Sequence, residues 1–274
     1  MEITDLKFMQ GYIRMCSDGW LQGWHERNGG NLTYRMTEQE ATAARPFFGP
    51  PREWVKMDVQ AQNLAGEYFV TTGSGKYLRN VVLNPAANIG IVEINAAGDS
   101  FRIVWGLENG AKPTSEFPTH FLNHSVRKES TNGINRIIYH CHATNVIVLT
   151  YLLPLTDRDF TRALWQSATE CPVVFPAGVS VVPWMVPGGR EIALATSEKM
   201  KTYDAAVWAH HGLFVSGPDF DTAFGLAHTI EKSAEIYVKV LSAGQGKILQ
   251  TITDDNLRAI AHNFGVTLNE AFLD

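Results

Sequence analysis

Apolar side chains recur along this chain with two different periods, which separate its helices from its strands. Residues 6–24 carry apolar side chains at intervals of three and four, and this spacing predicts an amphipathic helix. Residues 89–94 and 101–105 are short apolar runs on either side of the turn-forming residues 95–99, which predicts a β-hairpin. Residues 136–142 begin with an apolar, β-branched run, which predicts a buried strand.

The remaining segments mix strands and helices in an irregular order. Further strands are predicted at residues 32–36, 67–71, 173–175, 179–183 and 205–209, and further helices at 115–128, 144–152, 160–169, 191–203, 222–241 and 254–264. The early hairpin and this order disagree with a doubly wound parallel fold, so we expect a mixed or antiparallel sheet with helices on both faces. Because no Gly/Ser-rich or highly charged linker divides the chain, we expect residues 1–274 to form one domain.

Composition narrows the classes of function. The 274 residues are 45% hydrophobic, which is enough for a full core, and the formal net charge at pH 7 is −5. No basic cluster interleaves with aromatic residues, so nucleic acid is not an expected partner. The longest apolar stretch, residues 146–153, is much shorter than a membrane span, and the N-terminus lacks a signal-peptide pattern, so no membrane association is expected. Three widely spaced cysteines favour a reducing, cytoplasmic compartment over a disulfide framework.

The sequence His140-Cys141-His142 at the end of one predicted strand has the pattern of half a metal site. Alternate side chains of a strand point to the same face, so His140 and His142 would project together while Cys141 faces the other way. Two neighbouring imidazoles can bind one divalent metal ion. Three histidines with a nearby carboxylate are more typical of a catalytic zinc site, which keeps one coordination position open, than of a structural one.

The third histidine has more than one candidate. His210 and His211 are adjacent, so only one of them can face the metal from a strand. Gly212 would let the backbone approach a metal or substrate closely, which gives a slight preference to His211. A competing pair, His120 and His124, lies four residues apart on one face of a predicted helix. That pair could also bind zinc, but no glutamate follows His120 as the metalloprotease pattern requires.

A carboxylate and three polar segments are candidates for the rest of a site. Glu116 lies at a predicted helix N-terminus, where the helix dipole explains most acidic residues; near a metal it could instead be a fourth ligand or a general base. Residues 28–31 and 72–76 are glycine-rich turns, and Thr114 and Ser115 precede the helix. Each of these segments also fits an ordinary turn or cap. If they converge, their amides and hydroxyls can bind an anion such as a phosphate.

Taken together, these motifs resemble the class II aldolase/adducin-head superfamily, and the resemblance covers essentially the whole chain in order. It rests on residues 26–33, 72–76, 113–116, 140–145, 169–171 and 211–212, with further matches at 84–88 and 182–188. The resemblance implies a three-layer α/β/α sandwich around a mixed, largely antiparallel central sheet. It also implies a homotetramer whose active sites lie at the subunit interfaces.

The resemblance further implies a class II, metal-dependent aldolase with one Zn²⁺ per subunit. It assigns the metal to His140, His142 and His211, and it gives His120 and His124 no metal role. The implied reaction is the reversible cleavage of L-rhamnulose 1-phosphate into dihydroxyacetone phosphate and L-lactaldehyde. Zinc would stabilise the enediolate that this cleavage forms.

The same resemblance distributes the remaining roles. It implies that Glu116 transfers the proton at the nucleophilic carbon, and that Glu170 reaches in from a neighbouring subunit to handle the proton on the aldehyde oxygen. From the residues alone, Glu170 is an ordinary carboxylate at a helix end. The implied substrate-binding and phosphate-binding residues are Asn28, Gly29, Asn31, Ser74, Gly75, Thr114 and Ser115.

Three alternatives stay open at the level of sequence. An aldolase or epimerase for a related sugar phosphate, such as L-fuculose 1-phosphate or L-ribulose 5-phosphate, would share the histidine motifs. A non-catalytic, adducin-head-like interaction module predicts loss of metal ligands, yet all three histidines and Glu116 are present. A structural zinc domain would require four closed protein ligands, commonly including cysteine.

Overall fold

One mixed sheet organises the computed structural model, which describes residues 2–274. Its strands are β1 (Asn31–Arg35), β2 (Val55–Lys56), β3 (Tyr68–Thr72), β4 (Ile89–Ile94), β5 (Ser100–Gly106), β6 (Ile137–Cys141), β7 (Ser180–Val182), β8 (Ala205–Trp208) and β9 (Gly212–Gly217). They lie in the order β2-β5-β4-β3-β1-β6-β9-β8-β7. Every neighbouring pair is antiparallel except β7 and β8, which are parallel. The prediction of a mixed, largely antiparallel sheet is confirmed.

Helices cover both faces of this sheet. They are α1 (Lys7–Leu21), α2 (Glu38–Ala44), α3 (Pro85–Asn88), α4 (Phe117–Ser130), α5 (Thr144–Leu152), α6 (Asp157–Trp165), α7 (Cys171–Val174), α8 (Arg190–Lys199), α9 (Phe220–Ala243) and α10 (Asp254–Phe264). Helices α1, α5, α6 and α9 share one hydrophobic core with the sheet, whereas α4 and α8 pack on the opposite face. The chain is therefore a three-layer α/β/α sandwich. Within residues 2–274, no helix is long and apolar enough to cross a bilayer.

The alternation of side chains along β6 decides on which side of the sheet the candidate site lies. Ile137, Tyr139 and Cys141 belong to the core under α1 and α9. Ile138 belongs to the core on the other face. His140 shares the face of Ile138 because strand side chains alternate, so it points toward the layer that contains α4.

One local prediction from the sequence was wrong, and several short elements were not predicted, among them β2 and α3. Residues 173–175 were expected to form a strand, but Cys171–Val174 is a short helix, because Pro172 at its first turn fixes a helical backbone. Strand β9 was not predicted, since its apolar run Leu213-Phe214-Val215 lacks alternation and only its pairing with β6 and β8 defines it. Helix α2 was also missed, although Thr37 and Glu40 form a capping box at its start.

Candidate metal centre and active site

Three histidines converge at the ends of β6 and β9. His140 lies near the end of β6, His142 follows that strand, and His211 directly precedes β9. One ring nitrogen from each lies within 4.8 Å of the others, and Nε2 of His140 is 3.3 Å from Nε2 of His211. Across residues 2–274, no other group of three or more His, Cys, Asp or Glu has this geometry. Three convergent imidazoles are the protein ligand set of a catalytic zinc site with an open fourth position.

The backbone separates His211 from its neighbour His210. His210 adopts a left-handed conformation with φ 59°, which turns its ring away from the histidine cluster. Its ring packs against Tyr151 with 4.4 Å between ring centroids, and its Nδ1 is 3.1 Å from the hydroxyl of Thr150. The structure thus places His211, and not His210, beside the other two histidines.

Gly212 allows β6 and β9 to approach closely at the cluster. A β-carbon at this position would lie 2.5 Å from the carbonyl oxygen of Cys141 and 3.0 Å from Cε1 of His140. Any larger residue would push the two strands apart. The glycine of the His-Gly sequence therefore allows the close packing of β9 against the strand that carries His140.

Hydrogen-bond acceptors orient the imidazole rings of His140 and His142. Nδ1 of His140 is 3.1 Å from the carbonyl oxygen of Leu213, and Nδ1 of His142 is 2.6 Å from Oε1 of Glu26. A ring that donates from Nδ1 presents a bare Nε2 on its other side, which is the metal-binding arrangement of many protein histidines. Leu213 and Glu26 therefore hold the rings in the tautomer that a metal requires.

The environment keeps His140 and His211 neutral. Burial lowers the pKa of His140 far below its usual value, and the neighbouring His211 and His142 lower it further. Burial, together with His142, lowers the pKa of His211 to about 4. Neutral imidazole is the form that binds metal ions, so this donor set fits a divalent metal at neutral pH without first losing protons.

Glu116 lies beside this cluster as the N-cap residue of α4, but its carboxylate makes no capping hydrogen bond. Instead its Oε2 accepts a hydrogen bond from Nδ2 of Asn31 at 2.7 Å and lies 3.8 Å from Nε2 of His140. Burial raises the pKa of Glu116, while the hydrogen bond from Asn31 and the nearby His142 oppose the shift. A buried carboxylate with a raised pKa next to a metal site is suited to general acid–base chemistry.

Two of the three predicted anion-binding segments are joined by backbone hydrogen bonds. The amide of Ser74 donates to the carbonyl of Lys112 at 2.9 Å, and the amide of Thr114 donates to the carbonyl of Thr72 at 2.9 Å. The glycine turn 72–76 therefore lies directly against the N-terminus of α4. Of the residues predicted to bind phosphate here, Thr114 is buried, whereas Ser74, Gly75 and Ser115 are exposed.

The third segment, residues 28–31, contacts the histidine cluster from the other side. A β-carbon on Gly29 would lie 2.8 Å from the ring of His142, so only glycine fits there. Asn31 reaches Glu116 as described above, while Asn28 is exposed at the start of the segment. The three segments thus lie around one place. From the sequence alone, anion binding followed only if the segments converged, and their convergence could not be predicted.

Buried His25 holds this glycine segment against the core. Its Nδ1 is 3.0 Å from the carbonyl oxygen of Gly29, and its Nε2 is 2.7 Å from the hydroxyl of Tyr139 on β6. Sequence patterns did not single out His25 or Glu26. The available signal was their position, since both lie within three residues of the segment 28–31.

Glu170 lies outside the cluster in a single chain. It is the N-cap residue of α7 and is exposed. It borders a surface cavity that is also lined by Ala168, His228, Thr229, Lys232 and Ser233. Among the described residues, no hydrogen bond or ion pair connects Glu170 to the three histidines. Its catalytic role stays a prediction.

The competing pair His120 and His124 does not form a metal site. Both rings are buried, and the hydroxyl oxygen of Thr33 lies between them, 2.8 Å from Nδ1 of His120 and 2.8 Å from Nε2 of His124. The nitrogens that could share a metal ion are therefore already paired with a hydroxyl group. Thr33 was not singled out from the sequence, although it lies two residues after Asn31 on the same face of β1.

This fold and site define a class of protein. The chain belongs to the class II aldolase and adducin N-terminal domain family, whose model matches residues 10–238. Solved structures agree with this assignment. A sugar-phosphate aldolase from Thermotoga maritima superposes with a TM-score of 0.71 at 29% identity, covering 85% of this chain and 94% of the other. An L-fuculose 1-phosphate aldolase shares the fold with a TM-score of 0.59 at 21% identity, covering 93% and 95%.

More similar relatives carry a more specific name. A rhamnulose-1-phosphate aldolase of Escherichia coli O157:H7 is 49% identical over 265 residues, which cover 97% of this chain and 96% of the relative. A rhamnulose-1-phosphate aldolase of Klebsiella pneumoniae is 50% identical over 273 residues, which cover 99% and 98%. The likeness therefore extends over nearly the full length of both proteins.

Proposed function

We propose that this chain is a zinc-dependent aldolase that cleaves L-rhamnulose 1-phosphate reversibly into dihydroxyacetone phosphate and L-lactaldehyde. The observation that carries the proposal is the convergence of His140, His142 and His211 beside the buried carboxylate of Glu116. The names of relatives at 49% and 50% identity support the substrate. A non-catalytic interaction module would have no use for three convergent imidazoles next to a buried acid.

Zinc is the metal that this donor set favours. Imidazole nitrogens suit Zn²⁺, and catalytic zinc sites commonly have three protein ligands and one open position. His140, His142 and His211 would hold one ion in each subunit. When bound, the ion would act as a Lewis acid on the ketone oxygen and the adjacent hydroxyl oxygen of the substrate and would stabilise the enediolate.

Glu116 would move the proton at the carbon where the bond breaks. In cleavage, the electron pair of the carbon–carbon bond passes to the dihydroxyacetone phosphate fragment, and Glu116 would then protonate that carbon. In the condensation direction Glu116 would remove the same proton. Its raised pKa supports this role, because a group that both gives and takes a proton works best when its pKa is close to the working pH.

The phosphate group would bind among the three converging segments. The N-terminus of α4 carries partial positive charge, and the glycine turns bring backbone amides and hydroxyl groups to it, which suits a phosphate without a dedicated cationic side chain. The residues proposed for this role are Asn28, Gly29, Asn31, Ser74, Gly75, Thr114 and Ser115. The exposure of Asn28, Ser74, Gly75 and Ser115 supports access by a substrate.

Glu170 would complete the site from a neighbouring subunit of a homotetramer. In cleavage it would accept the proton of the hydroxyl group whose oxygen becomes the aldehyde oxygen, and in condensation it would return that proton. Two observations support an action across subunits: Glu170 is exposed, and it makes no contact with the histidine cluster of its own chain within residues 2–274.

A substrate panel tests the proposal. Purified protein is assayed by elemental analysis for zinc and by a coupled assay for dihydroxyacetone phosphate with L-rhamnulose 1-phosphate and L-fuculose 1-phosphate. Epimerisation of L-ribulose 5-phosphate is followed separately. We expect about one zinc per subunit, preference for L-rhamnulose 1-phosphate, and loss of turnover on chelation. Faster turnover of either other sugar phosphate would contradict the proposed substrate, and full activity of metal-free protein would contradict the metal role.

A further inference from the structure

A row of five buried polar side chains runs between α4 and β1. Glu116, His120 and His124 are spaced by four residues, so they lie along one face of the helix and its N-cap. Asn31 and Thr33 are two residues apart on β1, so they share one face of the strand. Helical and strand periodicity thus place two sets of polar groups opposite each other, and all five residues are buried.

Hydrogen bonds connect this row without a gap. Glu116 contacts Nδ2 of Asn31, and Oδ1 of the same amide contacts Nε2 of His120. Nδ1 of His120 contacts the hydroxyl of Thr33, which also contacts Nε2 of His124. The row therefore leads from the carboxylate at the metal centre to a second buried imidazole two helical turns away.

The chemistry of each group sets the direction of these bonds. An ionised Glu116 only accepts, so Asn31 must present its NH₂ group to the carboxylate and its oxygen to His120. Nε2 of His120 must then carry a proton. Burial lowers the pKa of His120 to about 3, so the ring is neutral and its Nδ1 is bare. The hydroxyl of Thr33 therefore donates to Nδ1 of His120 and accepts from Nε2 of His124.

The far end of the row agrees with this direction. Nδ1 of His124 is buried without a hydrogen-bond partner, as expected for a bare nitrogen. The other tautomer would bury an N–H donor without an acceptor and would set two lone pairs against each other at Thr33. Burial lowers the pKa of His124 well below its usual value, and the nearby positive charge of Arg35 lowers it further, so this ring also stays neutral.

We propose that His120, Thr33 and His124 form a positioning relay for Glu116. Every hydrogen bond of the relay donates toward the carboxylate, so the relay fixes the amide of Asn31 with its NH₂ group on Glu116 and holds that side chain beside His140. The inference deepens the proposed function, because it rests on Glu116 as the group that transfers the proton. It also gives a role to His120 and His124, the pair on α4 that lies outside the proposed metal site.

A different hydrogen-bond pattern of His120 would be incompatible with the relay. The main-chain carbonyl of Ile138 lies close enough to the ring of His120 to raise its pKa. A ring that donated to this carbonyl from Nδ1 would have a bare Nε2. The amide of Asn31 would then turn around and direct its oxygen at Glu116, which could be satisfied only by a protonated carboxyl group. The two arrangements differ in which nitrogen of His120 carries the proton.

Neutron diffraction locates that proton directly. In crystals of the deuterated, zinc-loaded protein at pH 7, we expect deuterium on Nε2 of both His120 and His124 and on the Asn31 nitrogen that faces Glu116. Deuterium on Nδ1 of His120 would overturn the relay. This measurement does not depend on which sugar phosphate is cleaved, so it decides on the relay even if the proposed substrate is wrong.

A matched pair of variants tests the consequence for catalysis. Thr33→Val removes the relay hydroxyl with little change in shape. Thr71→Val is the control, because Thr71 pairs directly with Thr33 across β1 and β3, is equally buried, and donates outside the relay to the carbonyl of Thr72. We expect Thr33→Val to lower kcat by roughly 10-fold to 100-fold, the cost of a misplaced catalytic group. KM and zinc affinity should stay within about twofold.

The conservative variant Thr33→Ser keeps the hydroxyl and should recover most of the lost kcat, whereas Thr71→Val should leave kcat nearly unchanged. An unchanged kcat in Thr33→Val would overturn the relay, as would equal losses in Thr33→Val and Thr71→Val. A wild-type protein without turnover of L-rhamnulose 1-phosphate would contradict the proposed function instead, and the deuterium positions would then decide on the relay alone.

Discussion

At the scale of single residues, His210 and His211 have the same side chain, but the backbone sends them to opposite sides. His211 lies in the cluster, whereas His210 packs on Tyr151. We expect His211→Ala to lose zinc and activity together, because two imidazoles hold the ion far more weakly than three. His210→Ala is the matched control and should retain zinc. The zinc content of both variants is measured by mass spectrometry. Loss of zinc in His210→Ala and not in His211→Ala would assign the third ligand to His210.

A substitution at Glu116 distinguishes a catalytic role of its carboxylate from a structural one. Glu116→Gln keeps the shape of the side chain but removes its ability to take a proton. We expect turnover to fall by roughly 10²-fold to 10⁴-fold, the range for a positioned acid or base, with zinc content unchanged. Steady-state kinetics and the melting temperature are measured side by side. Near-normal turnover with a lower melting temperature would mean that Glu116 only supports the start of α4.

Glu26 is expected to tune the metal through His142. Its carboxylate accepts from Nδ1 of that ring, and outer contacts of this kind commonly change metal affinity by about 10-fold to 100-fold. We expect Glu26→Gln to weaken zinc binding within this range in a chelator competition. The control is Glu198→Gln, which removes an exposed carboxylate paired with Lys201. Equal zinc affinity in both variants would show that the contact with Glu26 does not orient the ligand.

At the scale of elements, apolar patterning predicted the long helices and the strands that carry β-branched apolar runs. The hairpin of β4 and β5, strand β6 and helices α4, α5, α9 and α10 were all expected close to their observed positions. Among the elements that were missed, α2 and α7 are too short to show a helical period, and β9 has no alternation of apolar and polar side chains. For β9, the pairing with two neighbouring strands, and not local preference, determines the structure.

Buried histidines around the sheet should make the fold sensitive to mild acid. Burial lowers the pKa of five histidines: His25 and His211 to about 4, His120 to about 3, and His124 and His140 by a large margin. The unfolded chain binds protons near pH 6.5, whereas the folded chain does not, so stability is complete above that pH and is lost as the pH falls below it. Burial of two carboxyl groups, Glu116 and Glu231, raises their pKa values and acts in the opposite direction, but the histidines outnumber them.

Urea unfolding of the metal-free protein measures this effect. We expect the free energy of unfolding to decrease steadily from pH 7 to pH 5, by up to about 1.4 kcal/mol per pH unit for each histidine that titrates only in the unfolded chain. A chelator is present throughout, because proton competition with zinc would otherwise produce the same trend. A constant free energy of unfolding over this range would show that the buried rings take up protons without unfolding.

At the scale of the whole molecule, the candidate site depends on strand pairing that periodicity does not encode. Asn31 pairs directly with His140 across β1 and β6, and Phe214 on β9 pairs with His140 on the other side. A period of two shows which face a side chain takes, but not which strand lies beside it. The shared face of His140 and His142 was therefore predictable from the residues, whereas His211, Glu116 and the glycine segments could be joined to them only through resemblance to a family.

Catalysis is expected to depend on the assembly of the subunits. If Glu170 acts on the neighbouring subunit, Glu170→Ala should slow cleavage while zinc content stays normal, since His140, His142 and His211 all lie in one chain. Mixing these subunits with Glu116→Gln subunits should restore activity. In a random one-to-one tetramer, about one quarter of the interfaces would pair an intact Glu116 with an intact Glu170, given cyclic symmetry.

The control mixture combines Glu116→Gln with His140→Ala subunits. Both of these side chains belong to the same site of one chain, with 3.8 Å between Oε2 of Glu116 and Nε2 of His140, so subunit exchange cannot bring an intact pair together. We expect no rescue from this mixture and a rise toward about one quarter of wild-type activity from the Glu170→Ala mixture. Failure of both mixtures after subunit exchange has been verified by native mass spectrometry would place Glu170 outside the catalytic machinery of the neighbouring subunit.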